Sequence, residues 1–354
     1  MIPHSRPTLD EEDAQRVLDV VRSGQLVQGR EVAAFEKELA ETVGLFDAVA
    51  VSSGTAALHL ALRALEIGPG DEVLIPSFVC TALLHAVRQT GASPVLADCD
   101  PATYNLSPTD AKRRITPRTR AVIVPHLFGQ AADLEAIQTL GLPVIEDCAQ
   151  SLGSLYHQQP TGGFGVLAVF SFYATKVIAT GEGGMVSSRD TALLERIRDL
   201  RDYDEKEEDT QRYNCKMTDM QAALGRSQLR KLPAFIARRQ AIAAVYSRAF
   251  APLGLAVPAT GDNRTHIYYR YILRHDNASG LMAALEGLGI AARRPVFRPL
   301  HAYLGEKGYP EAEEVWRETL SLPLYPSLSE DETERIVSAM TSLFAKGLEC
   351  HVLL

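Results

Sequence analysis

The sequence predicts an α/β protein with a large first domain, built on a mostly parallel sheet covered by helices, and a smaller α/β domain after it. Three observations predict this. Short β-branched runs alternate with helical segments over the first two-thirds of the chain, the signature of a sheet with crossover helices on both faces. At 354 residues, with 46% hydrophobic and 23% charged, the chain suits two domains better than one. The last third changes character, opening with a long helix-rich stretch.

In order, the expected strands are 73–75, 95–97, 121–124, 144–146, 168–172 and 185–187, with an apolar run at 48–51 ahead of them. Helices are expected at 55–65, 81–90 and 134–140. The acidic stretch 202–209 reads as an exposed loop. A helical region from 220 to about 250 is expected to break at Pro233, because proline lacks the N–H and crowds the preceding turn. That proline is the expected boundary, giving domains at 1–233 and 234–354. The second contains a strand at 268–273, a helix at 280–288 and a closing helix at 330–344.

Composition narrows the function. A net charge of −8 argues against a nucleic-acid partner, which would need clustered Lys and Arg. Residues 1–13 show no apolar signal region, and no apolar run approaches the roughly 20 residues of a membrane span. A cytoplasmic protein is the expectation. Five cysteines (Cys80, Cys99, Cys148, Cys215, Cys350) form no CxxC pair and no cluster with histidine. They read as reduced thiols, with no disulfide framework and no metal.

Three segments carry chemistry. Ser53-Gly54-Thr55 links the run 48–51 to a helix, and a strand, a small-residue turn and a helix start make an anion site. Taken alone, this is equally a helix cap. In Val144-Ile145-Glu146-Asp147 a strand ends in two acids, and Asp147 falls at the carboxyl edge where ligands of α/β sheets collect. Alone, it could cap the next helix. Ser171 and Lys176 fall at the end of the run 168–172, before Gly181-Glu182-Gly183-Gly184. A lysine in such a turn can act as a nucleophile, or simply be solvated.

Their convergence decides. A strand-terminal Asp and a strand-terminal Lys one βαβ-like step apart, with a phosphate turn upstream on the same edge, meet the separate needs of pyridoxal 5′-phosphate (PLP). The cofactor requires a Schiff-base lysine, an acid opposite its ring nitrogen and a phosphate cradle.

With these residues in place, the chain resembles the DegT/StrS family of PLP-dependent sugar aminotransferases. The resemblance runs through Gly24 to Gly29 with Phe35-Glu36, Ser53 to Leu58, Gly70-Asp71-Glu72-Val73, Glu146 to Gln150, Ser171 to Gly184, Tyr213-Asn214, Gln221 to Leu224 and Leu322-Pro323-Leu324. It implies the fold-type I architecture of aspartate aminotransferase, with a seven-stranded mixed sheet in the large domain. It also implies a role for each matching residue. Lys176 matches the Schiff-base lysine and Asp147 the pyridinium partner. Gln150 matches the residue near the phenolic oxygen, and Gly54, Thr55 and Ser171 match the phosphate ligands. Asn214 matches an asparagine that reaches the phosphate from a neighbouring subunit, so a homodimer is implied. The implied reaction moves an amino group from glutamate or glutamine to a keto sugar, nucleotide-linked, by a ping-pong mechanism.

Two departures stand out. Where relatives carry an aromatic against the pyridine ring, this chain has Cys80, with Phe78 two residues earlier; either could face the ring. Tyr213-Asn214-Cys215-Lys216 also differs from the usual Asn-Tyr-Arg pattern. Arg293, Arg294, Arg298 and His301 are candidates for a substrate's anionic end, or else a basic surface turn around Pro295 and Pro299. The rival readings are a sugar dehydratase of the same scaffold, which would carry histidine in place of Lys176, an amino-acid lyase, and a PLP-binding sensor without turnover.

Overall fold

A computed structural model describes residues 1–345; Cys350 lies outside them. Strands β1 (Ala48–Val51), β2 (Glu72–Pro76), β3 (Ser93–Ala97), β4 (Thr119–Pro125) and β5 (Val144–Asp147) come first. A two-residue ribbon follows, β6 (Leu155–Tyr156) with β7 (Gln159–Pro160), then β8 (Leu167–Ser171) and β9 (Gly184–Ser187). The main sheet has seven strands in the order β1-β9-β8-β5-β4-β2-β3. β9 runs antiparallel to both β1 and β8, and every other pairing is parallel. The Val-, Ile- and Ala-rich strands β1, β2, β5 and β9 are buried at every position, as expected for a sheet covered on both faces.

Helices α1 (Glu11–Ser23) and α2 (Arg30–Thr42) precede the sheet. The crossovers carry α3 (Gly54–Ala64), α4 (Ala82–Gln89), α5 (Pro108–Arg114) and α6 (Leu134–Gln138), and α7 (Thr191–Leu200) follows β9. The expected strands and crossover helices all appear, with ends shifted by a few residues. Helices α1 and α2 are not among the elements expected from the sequence. α1 buries only Asp13 and Val20, so it leaves little apolar periodicity to read. α2 starts at Gly29 with no side-chain cap of its own. Its cap comes from far along the chain: the buried Asp219 carboxylate accepts from the N–H groups of Gly29 (2.8 Å), Glu31 (3.3 Å) and Val32 (3.0 Å). A Cβ on Gly29 would lie 2.9 Å from that carboxylate, which explains the glycine.

The expected break at Pro233 is corrected. α8 (Asp219–Phe250) runs 32 residues straight through it, opening on a Thr218–Gln221 capping box. An interior proline costs about 3 kcal/mol in an isolated helix, and burial along both halves of α8 offsets it. Leu229, Leu232 and Phe235 pack into the core beneath α2 and β8. Ile242, Ala243, Tyr246 and Phe250 pack into a separate C-terminal core. The helix therefore joins the two bodies, and residue 233 lies inside it.

The C-terminal body holds β10 (Tyr271–Arg274), α9 (Ala278–Gly287), α10 (Leu300–Leu304), α11 (Pro310–Glu318), β11 (Thr319–Leu322) and α12 (Glu330–Ala345), with β10 antiparallel to β11. Leu300 of α10 and Ala312 and Val315 of α11 reach back into a further core of the large body, which also holds Leu60 of α3, Leu83 of α4 and Ile75 of β2. None of the described helices is long and apolar enough to cross a membrane.

Candidate active site

Because β1, β5 and β8 point the same way, the segments leaving them open onto one edge of the sheet. The loop after β2 reaches the same edge. Between them lies a cleft of about 280 Å³, whose lining includes Gly54, Thr55, Cys80, Asp147, Gln150, Ser171 and Lys176. Every cofactor residue expected from the sequence lines it except Asn214. That residue is exposed on the loop before α8, and the cleft of its own chain does not include it.

The cradle at the start of α3 is built by close backbone approach. Ser53 is extended and its hydroxyl accepts from Ala56 N–H at 3.1 Å. The N–H groups of Gly54 and Thr55 open the helix's first turn and have no partner within the helix. A Cβ on Gly54 would sit 2.7 Å from Ser171 Cβ, and one on Gly184 would sit 2.3 Å from the Ser53 carbonyl oxygen. Glycine at both positions brings the helix start, the end of β8 and the start of β9 together. Thr55 and Ser171 add hydroxyls to this anion-binding end.

Lys176 sits in a tight connection between β8 and β9. Its N–H donates to the Tyr173 carbonyl at 2.8 Å, and Ala174 N–H donates to the carbonyl of Gly181, a left-handed residue with φ +83°. The Lys176 ammonium lies 5.4 Å from the centroid of the Tyr269 ring. Asp147 ends β5, buried, with one carboxylate oxygen accepting from Ala149 N–H at 3.0 Å. Burial pushes its carboxyl above the usual range, against the pull of that N–H and of the Lys176 charge. Gln150 is oriented by the Phe128 N–H, which donates to its Oε1 at 2.9 Å.

The raised Asp147 carboxyl should be visible in the stability of the cofactor-free protein. A group whose folded pKa is raised contributes stability below its unfolded pKa and loses it as pH rises through the folded value. Ionised Asp147 is thus a cost at neutral pH, and Asp147→Asn, which keeps the acceptor for Ala149, is expected to melt higher there. Each tenfold change in proton affinity corresponds to about 1.4 kcal/mol. The advantage should vanish as pH falls below the folded value, which thermal melts of both proteins across pH would check.

Phe78 and Cys80 are separated by the structure. Phe78 is fully buried, 6.3 Å from both Tyr104 and Phe128 between ring centroids, while Cys80 is exposed and lines the cleft. The surrounding protein pushes the Cys80 thiol up, and the Lys176 charge opposes this. Cys99, Cys148 and Cys215 are also free thiols.

Several residues of the site were not singled out from the sequence. Tyr269 and Thr175 lie beside Lys176, their hydroxyls 3.4 Å apart, and the Arg270 guanidinium sits 4.7 Å from the Tyr269 ring centroid. Burial alone would raise the Tyr269 phenol, but Arg270, Lys176 and Thr175 together bring it down to about 8. A depressed pKa favours the ionised form, so this contribution to stability exists above the unfolded value near 10 and is lost as pH falls through about 8. The near-ultraviolet tyrosinate band is expected to show one tyrosine ionising near pH 8, absent in Tyr269→Phe. The signal in the sequence was the alternation in Tyr268-Tyr269-Arg270-Tyr271, which buries Tyr269 and Tyr271.

The basic candidates of the C-terminal body do not line this cleft. Arg293 contacts the Ala292 carbonyl at 3.0 Å and Glu286 at 3.4 Å. Arg294 closes the end of α11 by donating to the carbonyls of Trp316, Arg317 and Thr319, and its second arm holds Ser279. Arg298 donates to the Ala302 carbonyl. His301 bonds Ser77 Oγ through Nδ1 at 2.6 Å and stacks on Tyr309, so it anchors the segment leading to Cys80. His126, Glu146 and Cys148 lie close enough together to suggest a metal, but both His126 nitrogens and both Glu146 oxygens already have hydrogen-bond partners.

Comparison with known proteins places the chain in a family. The model of the DegT/DnrJ/EryC1/StrS aminotransferase family matches residues 7–341. The spore coat polysaccharide biosynthesis protein SpsC of Bacillus subtilis (strain 168) is 38% identical, over 98% of each chain. The GDP-perosamine synthase of Caulobacter vibrioides is 36% identical, over 94% of this chain and 96% of its own. Among solved structures, the aminotransferase TlmJ from Streptoalloteichus hindustanus superposes with a TM-score of 0.93 at 35% identity, covering 98% of this chain and 99% of that one.

Proposed function

Because the chain belongs to the DegT/DnrJ/EryC1/StrS aminotransferase family, we propose that it binds PLP and moves an amino group from glutamate or glutamine to a keto sugar carried on a nucleotide. The observation that carries this reading is the meeting of Lys176, Asp147 and a glycine-built anion cradle in one cleft. The residues present fit the cofactor: an amine for its aldehyde, a buried carboxyl for its ring nitrogen, and hydroxyls beside a helix start for its phosphate.

Bound PLP supplies an electrophilic aldehyde and an electron sink. Lys176 would hold that aldehyde through its ε-amine, and the same amine, when free, would serve as base and then acid for the donor's proton. Asp147 would hold a proton at the ring nitrogen, and a positive charge there would offset the burial that otherwise penalises the ionised carboxylate. Gln150, its oxygen already engaged by Phe128, presents its amide N–H to the phenolic oxygen. Gly54, Thr55 and Ser171 bind the phosphate. The working unit in this reading is a cytoplasmic homodimer in which the exposed Asn214 reaches the neighbouring cleft.

A nucleotide-linked acceptor is supported by the Caulobacter relative, which is named for a GDP-sugar product. In this reading the donor would leave its amino group behind on the cofactor and depart as its 2-oxo acid before the keto sugar takes that group up, so the two substrates would act in ping-pong order. Titrating the PLP-loaded protein with glutamate or glutamine is expected to bleach its visible band, and 2-oxoglutarate or a nucleotide keto sugar should restore it. A band that no amino donor moves would favour the sensor reading instead.

A further inference from the structure

Behind the cleft lies a fully buried, hydrogen-bonded couple that the proposed chemistry does not use. His126 and Glu146 are both 0% exposed. Ala132 N–H donates to His126 Nδ1 at 3.1 Å, so that nitrogen carries no proton. The proton is therefore on Nε2, which donates to Glu146 Oε2 at 3.0 Å, and His126 is neutral. Glu146 Oε2 also accepts from Gly162 N–H (2.8 Å), and Oε1 accepts from Phe164 (2.7 Å) and Gly165 (2.6 Å). Burial alone would raise the Glu146 carboxyl, but His126 and these N–H groups outweigh it and hold it low. Four donors converge on one anion, immediately before Asp147 in β5.

Both ends of this couple lead to the cleft. His126 backbone N–H donates to the Asp147 carbonyl at 3.1 Å. Two residues on, Phe128 has φ +59°, a left-handed conformation that non-glycine residues rarely adopt. In that conformation its N–H meets Gln150. Asn105 fixes the link between them by accepting from Leu127 N–H at 2.8 Å. We propose that the His126–Glu146 couple is a positioning device, setting Asp147 and Gln150 against the bound cofactor at the same time. An apolar pair could fill the same space. It could not bind the 162–165 turn and the 126–132 loop to the end of β5.

The proposal rests on the PLP reading of the cleft. Its test compares His126→Leu with His126→Gln, whose amide N–H can still donate to Glu146. The readouts are the PLP dissociation constant, the position of the cofactor's visible band, and thermal melting of the cofactor-free proteins. H126L is expected to weaken PLP binding by about 10- to 100-fold and displace the band, by analogy with the loss of a hydrogen bond that orients a metal ligand. H126Q is expected to stay within about threefold of wild type, on the same scale. Wild-type affinity and an unmoved band in a folded H126L would overturn the proposal. A second measurement needs no variant: in ¹⁵N-histidine-labelled wild type, adding PLP to the cofactor-free protein should shift the slowly exchanging His126 Nε2–H signal, and an unmoved signal overturns the proposal. A wild type that takes up no PLP fails the cofactor reading itself, a result distinct from either.

Discussion

Lys176→Ala is expected to abolish transamination while leaving the fold intact. The substitution removes the amine that holds the cofactor and also the group that carries the proton. Positioned acid–base catalysis alone contributes up to about 10⁴-fold, so turnover should fall by at least that order. Stability should move only modestly. Lys176 is half-buried, its ammonium lies 5.4 Å from the Tyr269 centroid, and its charge favours the ionised forms of Asp147 and Tyr269. Losing a side chain so placed is expected to cost about 1 kcal/mol. Steady-state kinetics and a thermal melt on the same preparation would separate the two effects.

The second large effect is expected from Gly184→Ala. The added Cβ would lie 2.3 Å from the Ser53 carbonyl oxygen, 2.4 Å from its carbon and 2.8 Å from Gly54 N, all backbone atoms. Gly184 cannot move aside easily, because it pairs with Val51 of β1 on one side and Ser171 of β8 on the other. The cost is expected to be about 3 kcal/mol, the upper end for overpacking. Any relief by shifting the helix start would also misplace the cradle, and a misplacement near 1 Å can cost on the order of 10²-fold in turnover. Gly24→Ala is the informative contrast. Gly24 is left-handed (φ +74°), and a Cβ added there would meet nothing within 4 Å. It should therefore lose only roughly 1–2 kcal/mol to backbone strain, and no activity. Denaturant melts and PLP titrations of both variants would show the difference.

How legible these features were depends on where the determining interaction lies. The strands of the main sheet could be read because they are short runs rich in apolar residues, and β1, β2, β5 and β9 are buried at every position. Ser53-Gly54-Thr55, Asp147 and Ser171 could be read because strand ends and helix starts are local signals on a shared edge. Lys176 became interpretable only through those neighbours. What stayed hidden depends on distant partners. The cap of α2 is a carboxylate 190 residues away, Asp219 on Gly29. Pro233 sits in an unbroken helix because cores on either side of it hold both halves of α8. Arg294 looked like a free cation in a basic turn, yet its donors are spent on the carbonyls ending α11. His301 likewise looked available and instead holds Ser77. The choice between Phe78 and Cys80 needed the aromatic cluster that withdraws Phe78 from the cleft. Tyr269 comes to Lys176 from the C-terminal third of the chain, a distance that no local pattern bridges.

The central claim is that Lys176 is the residue that bonds the cofactor. Borohydride reduction of the PLP-loaded protein, followed by proteolysis and mass spectrometry, tests it directly. A single stable pyridoxyl-phosphate adduct is expected, on the peptide carrying Lys176. An adduct on another lysine, or no adduct in a protein that has visibly taken up PLP, would contradict it.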